Sequence, residues 1–236
     1  MKVNITRHNL SVYIEERTTH TLSRKKEYYV YGDILVLVKD PLPYDIDLHS
    51  CLREIEARIP RHLIYGLDSV FIGEFPEFKE RQINAFYRDG AIYITNDQET
   101  DDDFIDDFAH EVAHLIEQTH GVEVYGDQEV SREFLGKRQR LFYLLKEEGF
   151  DVNPKDFLRL DYSYEFDMFL LNKVGYPLLT QLTIGLFLTP YGTTSLAEYF
   201  AESFEFYILR DRKSVKEVSP HCYFKITKLM ENEDDY

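Results

Sequence analysis

Tryptophan is absent from the sequence, cysteine occurs only twice, and no apolar run is long enough to cross a membrane. The longest apolar stretch, residues 174–188, is interrupted by polar residues and falls short of the ~20 residues that a spanning helix needs. Cys51 and Cys222 have no metal-binding spacing around them, which favours two free thiols in a reducing compartment. The N-terminal residues lack the apolar segment of a secretory signal. We therefore expect a cytoplasmic protein that spans no membrane, with delivery by a signal-independent route as an alternative.

Positive charge is also scarce. The 236 residues include 27 Lys and Arg against 43 Asp and Glu, which gives a net charge of −16. Phosphate contacts need clustered Lys and Arg, so this composition excludes a general nucleic-acid or anionic-membrane binder. An acidic surface would suit a basic peptide, although such surfaces more often serve solubility. The hydrophobic share of 44% is enough for one core and too high for a disordered chain.

No internal repeat or long Gly, Ser or Pro-rich linker divides the chain, so we predict one domain over 1–236 with an acidic tail at 230–236. The predicted strands are 28–31, 34–38, 70–72, 83–87 and 91–95. The predicted helices are 48–59, about 102–118, 137–148, 157–173, 177–188 and 196–209. A small sheet followed by helices indicates the α+β class.

One predicted helix carries a pattern typical of a metal centre, His110-Glu111-Val112-Ala113-His114. Positions i and i+4 lie on one face of a helix, one turn of ~5.4 Å apart, so both imidazoles can bind a single ion. Glu111 then lies beside the ion, where a carboxylate can accept a proton from bound water. The apolar neighbours fit a helix buried beneath a cleft. We predict a Zn²⁺ site, with a purely structural role of the two histidines as the alternative.

A catalytic zinc usually has a third protein ligand, and the sequence offers two kinds of candidate. His120 has the spacing of H-E-x-x-H-x-x-G-x-x-H, but Glu117 replaces the glycine that turns the chain, so we predict that His120 is not a ligand. Glu198 and Glu202 lie four residues apart on a predicted helix, and paired carboxylates on a buried face need a cation or a proton donor. Glu198 would bind the ion, and Glu202 would accept the free ring N–H of a ligating histidine. Alternatively, Glu198 only completes a capping box with Ser195.

The two segments together resemble a known family. The H-E-V-A-H segment and residues 188–204, which read L-T-P-Y-G-T-T-S-L-A-E-Y-F-A-E-S-F, are similar to the catalytic domain of anthrax lethal factor and to the related Pro-Pro endopeptidases. These proteins are zinc gluzincins. The resemblance covers about 104–118 and 188–207, extends less clearly to 83–95 and 142–149, and does not reach 1–66.

The resemblance implies a zincin-like fold and a zinc-dependent endopeptidase that acts on a protein or peptide substrate. It implies one role for each matching residue: His110, His114 and Glu198 as zinc ligands, Glu111 as general base, Tyr191 as the hydroxyl that supports the oxyanion, and Glu202 as a carboxylate behind the ligands. Strand 91–95 would resemble the edge strand along which such peptidases align an extended peptide.

One departure from the family concerns the interval between the second histidine and Glu198. It is longer than in lethal factor, and the excess falls in about 152–187, so substrate specificity is not transferred. The competing hypothesis is a catalytically inert zinc-binding scaffold or assembly protein. The presence of both Glu111 and Tyr191 argues against it, because a structural site needs neither.

Overall fold

The computed structural model describes residues 26–81 and 83–231. Within them the chain is α+β, as predicted: a small mixed sheet comes first and helices follow. No helix in this part of the chain is both long enough and apolar enough to cross a membrane. The N-terminal residues examined for a secretory signal, and residues 232–236 of the acidic tail, lie outside the described residues.

The sheet has five strands: β1 (Lys26–Val30), β2 (Ile34–Val38), β3 (Ser69–Ile72), β4 (Ala85–Arg88) and β5 (Ala91–Ile94). Their spatial order is β1-β2-β3-β5-β4. The two outer pairs are antiparallel, and β3 runs parallel to both of its neighbours. The β4–β5 hairpin turns at Asp89 and Gly90, which have φ values of 50° and 79° and so suit the type I′ turn that hairpins favour.

The prediction that strand 91–95 forms an edge was wrong. β5 pairs in parallel with β3, with Ile72 opposite Ile94, and β4 folds back against its other side. The edge strand of this hairpin is therefore β4. The sequence identified the hairpin itself, but the parallel pairing to a distant strand decides which of its two strands is left outside.

The helices are α1 (Leu48–Arg58), α2 (Pro76–Arg81), α3 (Asp101–Tyr125), α4 (Glu129–Glu147), α5 (Tyr164–Phe169), α6 (Tyr176–Thr183), α7 (Leu196–Leu209), α8 (Arg212–Val218) and α9 (Pro220–Glu231). Short 3₁₀ turns lie at Arg61–Ile64, Pro154–Leu158 and Tyr191–Thr193, and a π-helical turn lies at Leu170–Val174. The predictions for α1 and α7 are confirmed closely. α2, α8 and α9 were not predicted.

Helix α3 is the longest element and packs against the sheet, α1 and α7. It begins at the N-cap Thr100, whose hydroxyl accepts the Asp103 N–H at 3.1 Å. Its inward stripe, including Phe104 and Phe108, is fully buried. The predicted end near residue 118 agrees with a kink at His120, where φ and ψ are −121° and 21°; a second helical run then continues to Tyr125.

The segment between α4 and α7 is less regular than predicted. The single helix expected at 157–173 is divided into a 3₁₀ turn, α5 and a π-helical turn, because the Ser163 hydroxyl caps a new helix by accepting the Phe166 N–H. The helix expected at 177–188 ends at Thr183, since Gly185 takes a positive φ of 70°. In contrast, α4 begins eight residues earlier than the predicted 137.

Candidate metal centre

Helices α3 and α7 pack face to face and bring three predicted ligands together. His110 and His114 lie one turn apart on α3, and Glu198 lies in the first turn of α7. Glu198 Oε2 is 3.0 Å from His110 Nε2 and 3.9 Å from His114 Nε2. One donor atom from each residue falls within 4.8 Å of the other two.

These distances test whether an ion fits. A tetrahedral zinc with bonds of ~2.0–2.1 Å holds its donor atoms about 3.3 Å apart. The two measured nitrogen–oxygen distances, 3.0 and 3.9 Å, lie on either side of that value. Two histidines and one glutamate are also a donor set of catalytic zinc sites that leave one position for water. The donor set and these two distances therefore fit a metal ion.

Two further carboxylates face the other ring nitrogens. His114 Nδ1 is 2.8 Å from Glu117 Oε2, and His110 Nδ1 is 3.5 Å from Glu205 Oε2. The Tyr125 hydroxyl donates to the second oxygen of Glu117. Such contacts hold a proton on Nδ1 and present the Nε2 lone pair to a metal. Sequence reasoning missed these roles, although Glu117 lies three residues after His114, within reach on one helix face.

The Glu202 carboxylate lies close to this group and hydrogen-bonds to the Thr189 side chain. One of its carboxylate oxygens lies within 4.8 Å of one donor atom of His110 and of one of Glu205. The residue is 8% exposed, and its Oε2 is buried with no hydrogen-bond partner among the described residues. Burial, together with the charge of Glu205, raises the pKa of Glu202 to about 7. Its expected contact with a ring N–H stays a prediction, and Glu205 is the carboxylate nearest His110 Nδ1.

The predicted general base, Glu111, lies between the two histidines in sequence and is 6% exposed. Burial raises the pKa of its carboxyl group, and the two histidines oppose that shift. The Tyr87 backbone N–H of edge strand β4 hydrogen-bonds to its carboxylate. Glu111 is thus placed between the three candidate metal ligands and the edge of the sheet.

Tyr191 lies in the 3₁₀ turn that precedes α7, and its ring centroid is 6.5 Å from that of His110. Thr194 fixes this turn, since its N–H and its hydroxyl both donate to the Tyr191 carbonyl, at 3.0 and 2.8 Å. Burial raises the pKa of the Tyr191 hydroxyl well above its usual value. The phenol therefore stays protonated at neutral pH and can act as a hydrogen-bond donor.

The structure shows one half of the capping box that is the alternative role of Glu198, and this half uses only its backbone. Its backbone N–H donates to the Ser195 hydroxyl at 3.1 Å, which is the N-cap of α7. Its carboxylate lies at His110 Nε2. His120, the alternative third ligand, lies at the kink of α3 and belongs to neither of the metal-binding groups found among the described residues.

The chain was compared with protein-family models, with curated proteins and with solved structures, and none of the three comparisons gave a match.

Proposed function

We propose that this chain is a zinc-dependent endopeptidase of the gluzincin type with a zincin-like fold. The observation that carries the proposal is the convergence of His110, His114 and Glu198 at distances that suit zinc, with the Glu111 carboxylate beside them. The edge strand β4 lies next to Glu111, and a polypeptide substrate would bind along it.

His110, His114 and Glu198 would hold the ion. When bound, zinc acts as a Lewis acid that polarises a carbonyl group and lowers the pKa of a bound water to about 7. Glu117 and Glu205 keep the two imidazole rings oriented through their Nδ1 atoms.

The remaining chemistry belongs to Glu111 and Tyr191. The Glu111 carboxylate takes one proton from the attacking water and passes it to the leaving amine as the C–N bond breaks. Burial raises the pKa of the Glu111 carboxyl group, so this group more readily accepts a proton and then returns it. The Tyr191 hydroxyl donates a hydrogen bond to the oxygen on which negative charge develops. No covalent bond to the protein is needed.

The open edge of β4 supports an extended substrate. Thr95 N–H donates to the Asn84 carbonyl at 2.8 Å, which fixes the alternation of the β4–β5 ladder. The backbone groups of Ala85 and Tyr87 consequently face away from β5. The Tyr87 N–H hydrogen-bonds to Glu111, which leaves the Ala85 backbone groups and the Tyr87 carbonyl for a substrate strand. A substrate strand that adds to this edge would run past Glu111.

The test is cleavage of a mixed peptide library by the zinc-loaded protein, read by mass spectrometry as new peptide termini. The matched control is Glu111→Gln, which keeps the size of the side chain and removes its basicity. The proposal expects cleavage by wild type and its loss both in Glu111→Gln and after chelation. Zinc-loaded, folded wild type that cleaves nothing would favour the inert scaffold.

A further inference from the structure

A strongly acidic cleft of about 680 Å³ opens beside His110. Eight of the fourteen described residues that line it are aspartate or glutamate, and none of the fourteen is lysine or arginine. The acidic side chains come from the first half of α3, from the segment before it and from the middle of α7. The His110, Glu111 and Tyr191 side chains line the same cleft, so it adjoins the proposed catalytic groups.

The surrounding protein compensates only part of this charge, through Arg210 and through His110, whose Nδ1 is 3.5 Å from Glu205 Oε2. The half-exposed Arg210 pairs with Asp106 and has its Nε 3.8 Å from Glu205 Oε1. Asp107 accepts a hydrogen bond from the neutral Gln98 amide at 2.9 Å. Burial raises the pKa of both Asp106 and Asp107 to about 6, so both carboxyl groups are still largely ionised at pH 7.

One buried atom points to a ligand. Glu202 lines the cleft and is 8% exposed, and its Oε2 has no hydrogen-bond partner among the described residues. The Glu202 carboxylate hydrogen-bonds to the Thr189 side chain, but its buried Oε2 has no donor in the described part of the chain, and a buried oxygen without a donor is costly because it has lost its water. A group that brings both positive charge and N–H donors into the cleft removes this cost.

We propose that this cleft is a subsite for the cationic side chain of a lysine or arginine at one of the two residues that flank the scissile bond. The inference rests on the proposed peptidase function. A scissile carbonyl held near Glu111 and Tyr191 brings its neighbouring side chains to the cleft mouth, and an extended basic side chain reaches inward. The Glu202 and Asp107 carboxylates then accept its N–H groups.

Peptide pairs that differ only in charge test the subsite. Arginine and its neutral isostere citrulline are placed at each flanking position of otherwise identical fluorogenic peptides, and kcat/KM is measured for each pair. The Arg-over-citrulline ratio is expected to be about 10 to 100 at one of the two positions, the range for hydrogen bonds to charged groups. The double variant Asp106→Asn plus Asp107→Asn should reduce that ratio at least severalfold.

The matched control is Asp102→Asn. Asp102 lies in the same acidic run and is exposed, but it does not line the cleft. The Arg-over-citrulline ratio of the Asp102→Asn variant should therefore equal that of wild type. Equal cleavage of arginine and citrulline peptides would overturn the subsite and leave the peptidase intact. Failure to cleave any peptide would overturn the proposed function, and the subsite with it. A second bound metal ion per chain that the double variant loses would overturn the subsite by identifying a different occupant.

Discussion

Glu198 Oε2 lies 3.0 Å from His110 Nε2, although 88 positions of sequence separate the two residues. The contact depends on the packing of α7 against α3, which places the first turn of one helix over the middle of the other. A carboxylate and an imidazole nitrogen held at this distance can share a proton or bind one cation. The packing thus brings together three side chains that could hold a metal ion, which neither helix provides alone.

We expect the groups that hydrogen-bond to the His114 ring, directly or through Glu117, to affect the affinity for zinc. Tyr125→Phe removes the hydroxyl that donates to Glu117, and Glu117→Gln weakens the acceptor at His114 Nδ1. Each variant should bind zinc about 10- to 100-fold more weakly, as other losses of such supporting groups do. Competitive titration against a fluorescent chelator measures this. Tyr143→Phe, an exposed tyrosine on α4, is the control, and unchanged affinity in Tyr125→Phe would refute the role.

Tyr191→Phe should separate catalysis from binding. If its hydroxyl donates to the developing oxyanion, kcat falls by about 10²- to 10³-fold while KM and zinc content stay close to wild type. Steady-state kinetics on a cleaved peptide, together with metal analysis, measures this. Tyr29→Phe, at an exposed position on β1, is the matched control. An unchanged kcat would reduce Tyr191 to a packing role.

Arg138, on α4, hydrogen-bonds to the backbone of the irregular segment that precedes α7. It is 1% exposed and donates to the carbonyl groups of Asp156, Arg159 and Thr194. Arg138→Met leaves these carbonyls without their donor, so the free energy of unfolding should fall by about 2–4 kcal/mol. Urea denaturation measures it. Arg140→Met, on an exposed face of the same helix, should change stability by under about 0.5 kcal/mol; equal effects of the two variants would contradict this account.

The two cysteines should be unreactive in the folded protein. Both are buried free thiols, burial raises the pKa of Cys51 to about 12, and burial also raises that of Cys222. Because the thiolate is the reactive form, a thiol reagent should label neither at pH 8 until the chain is unfolded. Rapid labelling of either residue in native protein would show that its surroundings open readily.

The local pattern of the sequence predicted part of this fold. The apolar periodicity and the Ser195 cap give the helix that carries Glu198, and the H-E-x-x-H spacing places His110 and His114 on one face of α3. These features depend on residues within a few turns of each other. The α+β order of elements follows from the same local signals.

The remaining features depend on tertiary contacts. The parallel pairing of β5 with β3 makes β4 the edge strand, and no property of the hairpin sequence encodes that choice. The role of Glu205 at His110 Nδ1 requires the packing of two helices. The region expected as one helix at 157–173 breaks at Ser163, which caps a new helix, and the buried Arg138 holds the chain before this break through the carbonyls of Asp156 and Arg159.

The most direct test of the central claim is the zinc content per chain of wild type, Glu198→Ala and His120→Ala, measured by mass spectrometry of metals. The account predicts about one zinc in wild type, its loss in Glu198→Ala and its retention in His120→Ala. Zinc retained in Glu198→Ala and lost in His120→Ala would contradict the ligand set, and wild type that takes up no zinc on reconstitution would contradict the metal centre itself.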